Sequence, residues 1–251
     1  MLNDSFAQLV HPNERVDTFI REDLKIIQSP DYFAFSVDAI LLADFITLPE
    51  RRAFRYIDFC TGNGVVPLLL SYRTTRPLVG VELQSELVDM ARRSVQLNQL
   101  TDQIEIMEAD INNLTKPKQL FDIISCNPPY FAVDRTKDQH RLTSHAMARH
   151  EVTLTLDQWI YKASVLIREK GKLYFVHRPD RLDDITETLL KHQFSIHRIR
   201  FVHPKVSQNA NAILVEAIYR GGRQGVKIEP PIIVHTEENE YTEEMQAIYF
   251  G

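Results

Sequence analysis

Between residues 56 and 126 the chain repeats one local pattern: a short apolar run, a turn, then a helical stretch. Tyr56-Ile57-Asp58-Phe59 reads as a strand and ends in Thr61-Gly62-Asn63-Gly64. An apolar helical pattern follows from Val65 to Leu70, with Pro67 tolerable in its first turn. Leu78-Val79-Gly80-Val81-Glu82 predicts a second strand, and Ser85 a cap for a helix carrying Leu87, Val88, Ala91 and Val95. Residues 104–107 and 121–125 read as the third and fourth strands. Further on, Thr155 and Gln158 predict a capping box for a helix through Trp159, Ile160, Ala163 and Leu166, which Gly171 is expected to close. A fifth strand over 173–176, a helix over 183–190 and strands over 194–202 and 212–219 complete the pattern. Strands alternating with helices imply an open, mostly parallel α/β sheet.

Upstream, residues 15–35 read as two or three extended pieces around Ser29-Pro30-Asp31. Ser36 predicts the cap of a helix from Val37 to Phe45, and Pro49 stops it. No apolar run approaches the about 20 residues of a membrane span, and no basic segment followed by an apolar one opens the chain. Two cysteines, Cys60 and Cys126, make no disulfide framework, and no HxxxH or CxxC spacing points to a metal. A cytoplasmic protein without metal is the expectation.

The turn after residue 59 carries chemistry. Glycines there let the backbone approach a ligand, and the helix start offers free N–H groups. In open α/β sheets ligands bind beyond the carboxyl ends of the strands. Glu82 at the end of the next strand suits ribose hydroxyls, and Asp110, just past the third, suits an adenine amino group. The turn is Asp-x-x-x-Gly-x-Gly, without the third glycine of a dinucleotide fingerprint. Asp58 at its front suits a positive amino group better than a pyrophosphate, which favours S-adenosylmethionine over NAD.

Asn127-Pro128-Pro129-Tyr130 follows the fourth strand directly. Two prolines fix an extended segment without N–H donors. The Asn127 side-chain oxygen and the Pro128 carbonyl are then two acceptors matched to the two protons of a planar amino group. Tyr130 offers a ring on which a base stacks, worth about 1–3 kcal/mol.

These motifs, in this order, resemble the class I S-adenosylmethionine-dependent amino-methyltransferases. Phe35 to Ala43 upstream, and Ala148-Arg149-His150-Glu151 downstream, are similar to the bacterial tRNA(Val) adenine-N(6) methyltransferases. The resemblance covers nearly the whole chain; Cys60-Thr61 departs from the residues of many relatives. It implies a Rossmann-like sheet, mostly parallel with a C-terminal antiparallel strand and with helices on both faces. Residues 1–54 are expected to be an extension packing on the cofactor site, and residues 55–251 the catalytic domain. By the same resemblance Asp58, Gly62 and Gly64 cradle the methionine part of S-adenosylmethionine, Glu82 holds the ribose and Asp110 the adenine. Phe35 and Asp38 close the near side. Asn127 and Pro128 orient the target amino group, with Pro129 fixing the segment and Tyr130 stacking on the base. The substrate implied is the exocyclic amino group of an adenine in tRNA, in the anticodon loop. Ribosomal RNA guanine and protein glutamine methyltransferases share the tetrapeptide and stand as alternatives, as does a non-catalytic RNA-binding relative.

Charge bears on the partner. The net charge is −5, which looks wrong for RNA, but its distribution is uneven. Residues 131–150 carry Arg135, Lys137, Arg141 and Arg149 and read as a lid meeting RNA phosphate. Residues 194–227 hold six bases, among them Arg198, Arg200 and Lys205, against one acid, Glu216, and predict a basic face for the RNA backbone. Residues 228–251 hold six glutamates and no base.

Overall fold

The computed structural model describes residues 7–19, 23–32, 36–50, 53–129, 154–223 and 225–250. Its centre is a sheet built from β3 (Tyr56–Phe59), β4 (Leu78–Glu82), β5 (Ile104–Glu108), β6 (Phe121–Cys126), β7 (Ile167–His177), β8 (Phe194–His203) and β9 (Ala212–Tyr219). Two short strands, β10 (Lys227–Ile228) and β11 (Ile232–Ile233), extend it beyond β8. The order is β10-β8-β9-β7-β6-β3-β4-β5. Order reverses beside β3, which pairs in parallel with both β4 and β6. That is the switch point where such sheets open a crevice. β9 runs antiparallel between β7 and β8, so the sheet is mostly parallel with one reversed strand near its C-terminal edge.

Period-two alternation sends side chains to two covered faces. Ile57, Phe59, Ile124, Cys126 and Phe175 pack with Trp159, Ile160 and Ala163 of α4 (Leu156–Leu166) and Ile185 and Leu189 of α5 (Leu182–Lys191). Tyr56, Ile123, Tyr174 and Val176 face the other way. They meet α1 (Val37–Phe45), α2 (Val65–Ser71), α3 (Ser85–Leu97) and Met245 of α6 (Glu243–Phe250). α1 is buried on nearly every side because it lies between the sheet and α6.

The N-terminal hairpin, β1 (Arg15–Phe19) and β2 (Leu24–Gln28), packs on α3 through Ile27, Leu87, Met90 and Leu97. Asn98 fastens it, accepting from the Lys25 N–H at 2.8 Å and donating to the Lys25 carbonyl at 2.6 Å.

Two local expectations are corrected. Gly171 does not close α4. The helix ends at Leu166, and β-branched Ile167 goes straight into β7. Gly171 serves instead a tight irregularity inside that strand, where a Cβ would lie 2.5 Å from Ile167 Cγ1 and 2.8 Å from the Arg168 carbonyl. Ser85 is the first residue of α3, and Gln84 holds the capping position. The acidic tail forms β11 and α6, and Met245 reaches the core. The Thr155–Gln158 capping box forms as expected.

Candidate functional site

Two loops leave neighbouring parallel strands at the same end. The glycine turn begins after Phe59 of β3, and Asn127 follows Cys126 of β6; Phe59 and Cys126 are register partners. The sheet thus sets the two sequence motifs side by side.

Left-handed backbone shapes the first loop. Cys60, Gly62 and Gly64 have φ of 54°, 57° and 86°. Gly64 caps α2 in that conformation, which side-chain-bearing residues reach only at a cost. The turn is held by the Thr61 N–H to the Val81 carbonyl and the Gly64 N–H to the Thr61 carbonyl, each 3.0 Å. Asn63 points inward and donates to the Ile27 carbonyl at 3.4 Å, tying the turn to the hairpin.

Asp58 lies on β3 with only 1% of its surface exposed. Ser125, its register partner on β6, donates a short hydrogen bond to Asp58 Oδ1. The Ser125 oxygen lies 2.5 Å from the Tyr56 hydroxyl. With Ser125 donating to Asp58, Tyr56 is the donor to Ser125. Burial pushes the Asp58 carboxyl up to about 7, and the Glu82 carboxylate pushes the same way.

Glu82 stands at the end of β4, where the sequence places it. Its carboxylate is already engaged: Oε2 accepts from the Gly62 N–H at 2.9 Å, and Oε1 from the Leu83 and Gln84 N–H groups at 2.9 and 3.0 Å. A carboxylate has about four acceptor positions, so a ligand hydroxyl would share it with the backbone. Asp110 caps the short turn Ile111–Asn113, accepting from the Asn112 N–H at 2.8 Å. Asp38 is half-buried in the first turn of α1, which packs on α2. Asn127 is half-buried, Pro128 buried and Pro129 exposed. Phe35, Tyr130, Arg135, Lys137, Arg141 and Arg149 lie outside the described residues.

The basic stretch does not form the expected open face at the three residues singled out. Arg198 donates to Glu216 at 3.0 Å, to Glu229 at 3.2 Å and to the Phe45 carbonyl at 2.7 Å, with its guanidinium 4.0 Å from the centre of the Phe45 ring. Arg200 pairs with Glu244 and donates to the Pro230 carbonyl at 2.9 Å. Lys205 donates to the Glu237 carbonyl at 2.8 Å. Two glutamates of the tail, Glu229 and Glu244, thus pair with the two arginines of β8. A cleft of about 550 Å³ lined by Lys25, Tyr72 and Asn98 lies where α2 and α3 end, at the opposite end of the strands from the glycine turn, and involves none of these residues.

The model of the methyltransferase small domain matches residues 35–200. The chain belongs to this family. S-Adenosylmethionine is the cofactor that membership brings. Similar relatives include the tRNA1(Val) (adenine(37)-N6)-methyltransferase of Photobacterium profundum, 31% identical over 143 residues, which are 55% of this chain and 58% of that one. The protein of the same name from Mannheimia succiniciproducens is 27% identical over 217 residues, 84% of each chain. The match spans between about half and six tenths of the length of the first curated relatives. Among solved structures, a predicted O-methyltransferase from Agrobacterium tumefaciens superposes with a TM-score of 0.66 at 24% identity, over 84% of this chain and 95% of that one. That likeness concerns the fold.

The donor set fits the cofactor. Asp58 is a buried carboxyl whose interacting charge is a second carboxylate, so an ammonium group there would relieve both burial and repulsion. A Cβ on Gly62 would meet nothing within 4 Å, which leaves room beside the turn.

Tyr56 and Ser125 are absent from the sequence-derived site. One signal was available: Ser125 is a lone hydroxyl in the otherwise apolar run Ile123-Ile124-Ser125-Cys126.

Proposed function

We propose that this protein transfers a methyl group from S-adenosylmethionine to the N6 amino group of an adenine in tRNA, in the anticodon loop. The observation that carries the reading is the adjacency of the two loops. Asn127-Pro128-Pro129 starts one residue beyond β6, and the glycine turn one residue beyond β3, on register-paired strands. An amino group held by Asn127 and Pro128 then lies next to whatever the glycine turn holds. The names carried by the relatives support adenine in tRNA as the substrate.

The cofactor supplies an electrophilic methyl group on a sulfonium. Asp58 binds its amino group, the turn from Gly62 to Gly64 lies along its methionine part, Glu82 shares its carboxylate with the ribose, and Asp110 meets the adenine. Phe35 and Asp38 close the near side. The Asn127 oxygen and the Pro128 carbonyl accept both protons of the target amino group, which turns the nitrogen lone pair toward the methyl carbon. Pro129 keeps the segment extended and Tyr130 stacks on the base. Positioning would supply much of the rate in such a displacement, and the surplus amino proton would pass to solvent, so no strong base is required.

RNA contact falls to Arg135, Lys137, Arg141 and Arg149, since Arg198, Arg200 and Lys205 bind the protein's own tail. Residues 1–54 act as an extension on the cofactor site of the catalytic domain, 55–251; the Asn63–Ile27 contact supports this. Among the described residues no helix is long and apolar enough to cross a membrane, and we take the enzyme to act in the cytoplasm.

The test is methyl incorporation from labelled S-adenosylmethionine into total tRNA from cells lacking the gene, followed by nucleoside mass spectrometry. N6-Methyladenosine in tRNA is expected. Label confined to ribosomal RNA guanine, or to a protein glutamine, would overturn the assignment of substrate.

A further inference from the structure

Three buried polar side chains line up across two strands behind the cofactor turn. Tyr56, Asp58 and Ser125 are each 0–1% exposed, and all lie on the sheet face that α2 covers. The Tyr56 hydroxyl reaches Ser125, and Ser125 reaches Asp58. Ser125 thus accepts from a buried phenol and donates to a buried carboxyl, and alanine in its place would take that partner from both.

We infer that Ser125 and Tyr56 are positioning residues for the cofactor: their hydroxyl chain holds the Asp58 carboxylate, in charge and in direction, for the amino group of S-adenosylmethionine. This rests on the reading of Asp58 as the partner of that amino group. A hydroxyl that donates to a carboxylate favours its ionised form, whereas burial favours the protonated one. A protonated Asp58 has no charge to offer an ammonium. The groups that face Asp58 are the Glu82 carboxylate from β4, the Tyr56 phenol from its own strand, the Thr61 hydroxyl from the glycine turn, and the Ser125 hydroxyl and Cys126 thiol from β6. None of these is a cation. Glu82 and burial raise the Asp58 carboxyl to about 7, and Ser125 is the hydrogen bond that acts against them most strongly. Tyr56 polarises Ser125 and leaves its proton aimed at Asp58.

Two ligands separate this role from a merely structural one. S-Adenosylhomocysteine carries the amino acid end; 5′-methylthioadenosine keeps the adenosine and the sulfur and lacks it. Binding of each is measured by calorimetry from about pH 6 to pH 7.5 for the parent protein and for Ser125→Ala, Ser125→Thr, Tyr56→Phe and Asp58→Asn. In the parent, affinity for S-adenosylhomocysteine is expected to rise through pH 7 while that for methylthioadenosine stays flat. Ser125→Ala should weaken S-adenosylhomocysteine by about fivefold at pH 7, the loss of ionised Asp58 when a carboxyl near 7 rises by one unit. It should also move the rise to higher pH and leave methylthioadenosine unchanged. Tyr56→Phe should do the same more weakly, and Ser125→Thr should restore the parent profile. Equal weakening of both ligands by Ser125→Ala, or no weakening of either, would overturn the hydroxyl chain while leaving Asp58 in place. Asp58→Asn binding S-adenosylhomocysteine as tightly as the parent would overturn the reading of Asp58 itself.

Discussion

The Glu82 carboxylate on β4 accepts the backbone N–H of Gly62 at 2.9 Å, and so fastens the glycine turn of one strand to the end of its neighbour. The same carboxylate takes the Leu83 and Gln84 N–H groups. Its first task is therefore to hold the loop, and any ligand hydroxyl is added to that. Glu82→Ala leaves three donors to find new partners, at about 1–3 kcal/mol for each that stays buried and unpaired. A fall in thermal stability without ligand is expected together with weaker binding of both S-adenosylhomocysteine and methylthioadenosine. Loss of binding with unchanged stability would mean that Glu82 serves the ligand alone.

Asp58 sets stability against function. Its carboxyl is raised from 3.8 to about 7 in the folded protein, so the folded state holds a proton that the unfolded state has released. Between those values stability falls as pH rises, and the whole contribution is lost above about pH 7, worth up to about 4 kcal/mol. Asp58→Asn removes the charge and keeps an acceptor for Ser125. The ligand-free variant should melt higher than the parent at pH 8, match it near pH 4, and bind S-adenosylhomocysteine far more weakly. Scanning calorimetry at the two pH values checks this.

Arg198 looked like a contact for RNA and is part of the core wall. It joins Glu216, which is 2% exposed, to Glu229 of the tail and to the end of α1. Removing it leaves Glu216 with Lys172, 2.7 Å away, as its remaining ion-pair partner. Arg198→Ala should cost about 1–3 kcal/mol in urea unfolding, since Glu216 keeps Lys172 and loses one charged donor. The salt dependence of tRNA binding by the folded fraction should stay as it was, because a side chain without phosphate contact releases no counterion. A slope reduced by about one would return Arg198 to the RNA surface.

The fold was legible wherever local pattern and tertiary demand agreed. The strand and helix sequence from Tyr56 to Ser125 is such a region, and so is the box at Thr155 and Gln158. At Gly171 a stop signal for a helix proved to be a close approach within a strand, a contact that periodicity does not carry. Arg198 and Arg200 illustrate the same limit. A count of charge along the chain gives six bases followed by six acids, and only the return of the tail along β8 shows that Arg198 and Arg200 pair with Glu229 and Glu244. Of the site, the residues at strand ends were readable because topology places them together. Ser125 and Tyr56 were not, because their role depends on register between β3 and β6.

In the proposed function Asn127 orients the amino group that receives the methyl. Asn127→Ala is measured for methyl transfer to tRNA and, separately, for binding of S-adenosylhomocysteine. Turnover should fall by at least about 100-fold, the scale on which misplacement of a reacting group is felt, with ligand affinity near that of the parent. An Asn127→Ala enzyme that still forms N6-methyladenosine in tRNA at the parent rate would contradict it.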